Sequence, residues 1–373
     1  MNSESRVYQV ALTMIPRIGA ITAKRLIEYL GSPEEVFREK PAHLRNIPGV
    51  GEFLSGQVRS KDFISEASRE VEAMEKSRIS AAWYMDKSYP QRLRDCDDGP
   101  LLLFYRGSPD FNRSKYLSIV GTRNATRYGR ETTAQIVQEL ARNHPGLVVI
   151  SGLAYGIDIT AHRSALEAGL QTFSVLAHGL RTIYPAAHAE AASRIMRQGA
   201  LLTDFHSAVK PERNNFLRRN RIIAGLADAT LVVESAHKGG ALITAELASS
   251  YHRDVFAIPG RTTDQWSAGC NALVRDNIAA LVTCATDIEK MLRWEAEGDG
   301  RETVQVLTAP LTVQETAILD ELEKAPGLGK EILGVRTGIP VPQLSGILLQ
   351  MELKDWVRVM PGNLYTAAVK PRG

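Results

Sequence analysis

The chain has 373 residues, of which 44% are hydrophobic, as in ordinary globular proteins with a real core, and its length suits roughly two or three domains. Its 45 basic residues against 42 acidic ones leave a formal net charge of only +3, which excludes a whole-molecule electrostatic grip on nucleic acid and makes any basic footprint local. Cys96, Cys270 and Cys284 are too few and too scattered for a disulfide frame or a zinc cluster. No basic segment leading into an apolar run opens the chain, and no uncharged apolar stretch approaches the ~18 residues needed to span a bilayer. A soluble, cytoplasmic protein is expected, with no membrane partner.

In chain order, residues 1–80 read as a small all-α domain. Ile15-Pro16-Arg17-Ile18-Gly19 recurs as Ile47-Pro48-Gly49-Val50-Gly51, 32 residues on, and each copy leads into a helical pattern. The repeat resembles tandem helix-hairpin-helix (SAM-like) units, whose tight glycine turns can aim backbone amides at a DNA phosphate. A helix over 63–76 and an apolar strand over 101–107 lead into the next region.

Residues 81–293 form the central domain. Strands over 117–120, 147–150, 172–176, 200–204, 230–233, 255–258 and 280–282 alternate with helical segments, and most are near-continuous apolar runs. The pattern predicts an α/β fold: an extended Rossmann-like parallel sheet with helices on both faces. Ligands on such sheets bind beyond the carboxyl ends of the strands. There the sequence places Gly121-Thr122-Arg123, then Ser151-Gly152 through Gly156 to Asp158, then His178-Gly179. Glu234 with Lys238-Gly239-Gly240 and finally Pro259-Gly260 follow. Glycine, a hydroxyl and then arginine at a strand-to-helix turn build an anion pocket from backbone N–H groups, a side-chain donor and a bidentate fork. The segment is neither a Walker loop nor Gly-x-Gly-x-x-Gly.

Residues 216–221 place Phe216 beside Arg218, Arg219, Asn220 and Arg221, while Ile222, Ile223 and Leu226 supply a buried face. Arginine beside an aromatic ring suits single-stranded nucleic acid, where phosphates pair with cations and a base stacks. The expected DNA-binding set is therefore Gly121, Thr122, Arg123, Gly152, Gly156, Phe216, Arg218, Arg219, Asn220, Arg221, Lys238, Gly239 and Gly240.

Residues 294–310 read as a charged, glycine-containing linker, and 311–373 as a winged helix. A capping box at Thr312 and Glu315 opens the first helix of that domain, a second amphipathic helix runs over 343–353, and two short strands flank Pro361-Gly362-Asn363. The 343–353 helix is poor in Arg and Lys.

Together these segments resemble the DNA-processing protein A (DprA/Smf) family. The resemblance rests on Val120-Gly-Thr-Arg123, on Ser151-Gly-x-Ala-x-Gly-Ile-Asp158 with His162, and on Tyr184-Pro185. Arg219-Asn-Arg-Ile-Ile-Ala-Gly225, Leu242-Ile-Thr-Ala245, Pro259-Gly260 and Gly269-x-Asn271-x-Leu273 complete it. The family's usual Ser-Gly is Gly239-Gly240 here, and the proline usual after the phenylalanine is Leu217. The resemblance implies a homodimer that binds single-stranded DNA, protects it and loads the recombinase RecA during natural transformation, with no catalysis, cofactor or metal. A dimer surface is expected after Gly260, around Ile278 and Leu281.

The rival is a nucleotide phosphoribohydrolase-like enzyme with Asp158, Glu234 or Glu246 as carboxylates and His162 or His178 as bases. Such enzymes carry Pro-Gly-Gly-x-Gly-Thr-x-x-Glu, whereas this chain has His237-Lys-Gly-Gly-Ala-Leu-Ile-Thr244.

Overall fold

A computed structural model describes residues 3–294, 311–325, 327–354, 356–360 and 364–367. The segment expected as a linker, apart from Trp294, and the Pro361–Asn363 turn lie outside the described residues. The chain divides into two compact units, Met1–Glu297 and Gly298–Gly373.

The first unit is built on a nine-stranded sheet. Its strands are β1 (Ser80–Trp83), β2 (Leu102–Gly107), β3 (Tyr116–Val120), β4 (Val148–Ser151), β5 (Gln171–Val175), β6 (Ala200–Thr203), β7 (Ala229–Val232), β8 (Asp254–Ala257) and β9 (Ala280–Leu281). The spatial order is β1-β2-β6-β5-β4-β3-β7-β8-β9. From β6 to β9 every pairing is parallel, and β2 and β1 extend the edge next to β6 in antiparallel fashion. Both faces are covered, so alternate residues of one strand enter different cores. Leu117 and Ile119 of β3 join Val149 and Leu231 on one face, and Tyr116 and Val120 join Ile150 and Val232 on the other. Helices Arg127–Asn143 and Ile157–Glu167 bury Ile136, Leu140 and Ala161 on the first face. Helices Arg213–Leu226 and Gly240–Ser250 bury Ile222, Leu226 and Ala245 on the second.

Six helices, from Ser3–Met14 to Phe63–Lys76, precede the sheet. The two repeats face each other: the Arg17 guanidinium lies 5.1 Å over the Phe53 ring, and Arg25 Nη1 donates to the Pro48 carbonyl at 2.8 Å. Leu12, Leu26 and Phe63 of this region form one continuous cluster with Trp83, Leu102, Phe104 and Leu201 of the sheet. Glu70 adds a polar tie, accepting from the Ser207 N–H at 2.6 Å and from its hydroxyl at 3.0 Å.

In the second unit, helices Val313–Lys324, Lys330–Thr337 and Val341–Leu353 pack on a three-stranded sheet. That sheet comprises β10 (Leu328–Gly329), β11 (Val357–Met360) and β12 (Leu364–Ala367), in the order β10-β12-β11. Thr312 and Glu315 form the expected capping box, and Ile318, Leu333, Leu344 and Leu348 fill the core. Among the described residues no single helix is long and apolar enough to cross a membrane, and no group of three or more His, Cys, Asp or Glu is placed to hold a metal.

Candidate nucleic-acid interface

Strand order reverses beside β3. The chain steps outward through β4, β5 and β6 and then returns to β3's other flank as β7. Crossovers leaving β3 and β7 therefore diverge, and a crevice opens beyond their carboxyl ends. A cavity of about 790 Å³ occupies it, lined by Gly121–Arg123 after β3, Lys238–Gly240 after β7, and the Arg213–Leu226 helix.

Backbone bonds fix the two loops. The Thr122 N–H donates to the Glu234 carbonyl at 2.7 Å, and the Ile157 N–H donates to the Thr122 carbonyl at 3.2 Å. The buried Glu234 carboxylate accepts from the Thr126 N–H at 2.9 Å and from its hydroxyl at 2.5 Å. Thr126 caps the Arg127–Asn143 helix, so Glu234 binds the first turn of that helix to the β7 loop. Gly156 has φ +76°, and a side chain there would collide with the Thr122 carbonyl. A Cβ on Gly152 would meet the Arg219 guanidinium at 2.5 Å.

Arg219 lies at the floor and is only 4% exposed. Its Nη1 donates to the Gly152 carbonyl at 2.9 Å and to the Val175 carbonyl, joining the helix to the ends of β4 and β5. Burial lowers its pKa to about 10, with Asp158 pulling it up and Arg123 adding repulsion, so it remains protonated at neutral pH. Asp158 also lines the cavity, but its Oδ2 accepts from the Gly152 N–H at 3.1 Å. Burial pushes its carboxyl up, against the pull of Arg219 and of backbone donors. Asn220 accepts from Arg219 Nε at 3.3 Å and donates to the Gly240 carbonyl at 3.4 Å.

The rim differs. Arg123, Arg213 and Lys238 are exposed cavity-lining residues. Among the described residues none of the three side chains makes a hydrogen bond or an ion pair with protein. Arg123 stands 5.2 Å over the Phe216 ring, Arg219 stands 5.9 Å from it, and Tyr184 packs edge-on at 6.0 Å. Phe216 is half-buried and belongs to none of the sheet cores.

Two of the expected arginines are placed elsewhere. The Arg218 guanidinium lies 5.1 Å over the Phe205 ring, and Arg221 pairs with Asp204 at 2.5 Å and donates to the Asp98 carbonyl. Neither lines the cavity. One helical step is about 100°, so residues 218, 219 and 221 cannot share a face. The face that does reach the cavity carries Arg213, Phe216, Leu217 and Asn220, at i, i+3, i+4 and i+7. Arg213 went unnoticed because it precedes the arginine cluster, although this spacing could have found it. Trp266, which also lines the cavity, arrives from the segment after β8 and carries no local signal.

The candidate enzyme groups are engaged or displaced. Glu234 is bonded to Thr126, and Glu246 is exposed outside the cavity lining. His162 Nδ1 bonds Thr172 Oγ1 at 2.7 Å, and burial depresses its pKa to about 3. His178 Nδ1 bonds the Gly179 carbonyl at 2.9 Å, and burial likewise lowers its pKa.

Residues 80–293 match the family described as DNA recombination-mediator protein A. Residues 305–363 match the DprA winged helix domain, and 10–54 a SAM-like helix-hairpin-helix tandem. The chain is 32% identical to Protein Smf of Synechocystis over 98% of its own length and 99% of the relative's. Against the DNA processing protein DprA of Streptococcus pneumoniae it is 38% identical, over 55% of this chain and 71% of the relative. A solved structure of the Streptococcus pneumoniae protein superposes with a TM-score of 0.65 at 30% identity, covering 78% of this chain and 98% of that one. The Helicobacter pylori DNA processing protein A, described with a unique single-stranded DNA binding mode, gives a TM-score of 0.52 at 27% identity over 58% of this chain and 96% of that one. From its helical N-terminus through the α/β sheet to the winged helix, this chain belongs to the DNA recombination-mediator protein A family.

Proposed function

We propose that the chain binds single-stranded DNA in the β3/β7 crevice, in the cytoplasm, as a homodimer that protects incoming strands and delivers them to RecA during natural transformation. Its working parts would be the hairpin domain (1–80), the α/β domain (81–293) and the winged helix (311–373), joined by the 294–310 linker. The reading is carried by one observation: Arg123, Arg213 and Lys238 stand without a carboxylate partner among the described residues, around a cavity where Arg123 lies over the Phe216 ring. Unpaired cations around an aromatic ring fit a phosphate backbone with unstacked bases, and stacking tolerates any sequence. The single-stranded DNA named for the Helicobacter pylori relative supports the same ligand. For the dimer, the support is the short edge strand β9, with Leu281 exposed on it and Ile278 exposed just before it. One pocket grips few nucleotides, and pairing two can raise avidity by roughly 10²–10⁴-fold.

Fluorescence anisotropy of labelled oligo-dT and duplex, without metal or nucleotide and across a salt series, tests this reading. Single strand should be preferred, with affinity rising steeply once an oligonucleotide spans two protomers. Equal binding of short and long oligo-dT by a monomer removes the dimer. Release of free base from nucleoside monophosphates would favour the phosphoribohydrolase reading instead.

A further inference from the structure

The chain has four tryptophans, and three are absorbed by packing. Trp83 lies in the cluster shared with the N-terminal helices, Trp294 packs on the sheet core and against His144, and Trp356 lies in the winged-helix core. Trp266 belongs to no hydrophobic cluster, and among the described residues its ring has no aromatic or cationic partner. It nevertheless lines the cavity. The ring is half-buried, so part of it stays open to the cavity.

The backbone beneath this ring is held firmly. The Trp266 carbonyl accepts from the Ser235 N–H at 2.6 Å, and the Gly269 N–H donates to the Ser235 carbonyl at 2.8 Å. Asn271 clamps Gly260 from both sides, donating to its carbonyl at 3.0 Å and accepting from its N–H at 3.2 Å. A fixed backbone carrying a half-buried ring at the cavity wall is how a stacking platform is prepared, because little ordering remains to be done on binding.

We propose that Trp266 is a second base-stacking platform, carrying the strand from Phe216 past the β7 loop to the segment after β8. The sheet order supports this path, since β8 lies beyond β7 from β3. The inference rests on the single-stranded DNA reading and adds to it a ligand class for this end of the cavity: an unpaired nucleobase of any sequence.

The test uses the full chain, oligo-dT, and an abasic strand of equal length. Oligo-dT should quench tryptophan emission along the same isotherm that anisotropy reports, and W266F should lose that quench while still binding. W266A should weaken oligo-dT binding by about 5- to 150-fold, the range for removing a base–aromatic stack, and should leave the abasic strand nearly unaffected. A quench that survives intact in W266F, or equal losses for oligo-dT and the abasic strand in folded W266A, overturns the platform. Should W266A fail to fold, the W266F quench decides alone. A wild-type chain that binds no oligo-dT overturns the DNA reading itself, and binding without a Trp266-dependent quench overturns only this inference.

Discussion

The cavity of the α/β domain and the surface of the winged helix treat positive charge in opposite ways. Around the cavity, Arg219 is buried at the floor while Arg123, Arg213 and Lys238 at the rim have no carboxylate partner among the described residues. In the winged helix most of the described cations sit at the surface within reach of a carboxylate. Lys324 and Arg336 both reach Glu321, Lys354 pairs with Glu315 at 3.1 Å, and Lys330 lies over the Tyr365 ring. Among the described basic residues there, Arg358 stands apart as exposed without such a tie. Helix Val341–Leu353, placed where winged helices often meet a duplex, carries no Arg or Lys at all. Net charge alone would have suggested that every basic residue is equal. What separates the two regions is whether the carboxylates nearby leave a cation free for a phosphate.

The floor should give the largest effect. Arg219→Ala strips a buried cation from the Gly152 and Val175 carbonyls and leaves Asp158 uncompensated. It should cost about 3 kcal/mol or more in urea or thermal unfolding. An unchanged melting temperature would move Arg219 from the scaffold to the rim. Beneath the same floor, His162 is held neutral, its pKa depressed by burial from 6.5 to about 3. The unfolded chain takes up a proton near pH 6.5 that the folded one refuses, so stability present above 6.5 is lost as the pH falls toward 3. Between pH 6.5 and about pH 5 this amounts to about 2 kcal/mol at ~1.4 kcal/mol per unit. His162→Gln should remove that share of the pH dependence; parallel wild-type and variant curves would contradict it.

At the rim, Arg123→Ala should leave stability unchanged and flatten the plot of log affinity against log salt by roughly 0.7, one phosphate's worth for a single strand. An unaltered slope in the folded variant takes Arg123 out of the interface. Phe216→Ala sharpens the same region: loss of a stack costs about 1–3 kcal/mol of binding, whereas a fall in melting temperature with binding intact makes Phe216 part of the packing. The smallest effect belongs to the winged helix. Lys354→Ala breaks a partly exposed pair and should cost about 1 kcal/mol or less, with no change in the salt slope. A flattened slope in this variant would erase the contrast between the two regions.

The strands were legible because β3, β4 and β7 are buried on both faces and read as unbroken apolar runs. The glycine-bearing loops were legible because parallel topology carries every such loop to one edge. Arg218 and Arg221 fall outside the cavity because adjacency in sequence is not adjacency on a helix, and a carboxylate distant in sequence, Asp204, pairs with Arg221. Antiparallel β1 and β2 extend an edge whose partner, β6, lies about a hundred residues downstream, a pairing no local pattern announces. Trp266 escaped for the same reason, since only tertiary packing brings its ring to the cavity.

The cluster joining Leu12, Leu26 and Phe63 to Trp83, Leu102 and Phe104 also limits how the protein can be cut. Residues 1–80 have the repeats of a self-contained module, yet their apolar side is the lid on one flank of the sheet. A fragment beginning at Ser80 would carry Trp83, Leu102 and Phe104 into water as a bare hydrophobic strip along a sheet edge, the surface that drives aggregation. Swapping this region between relatives thus requires exchanging its footprint as well, including Ser207, which the Glu70 carboxylate holds from across the seam.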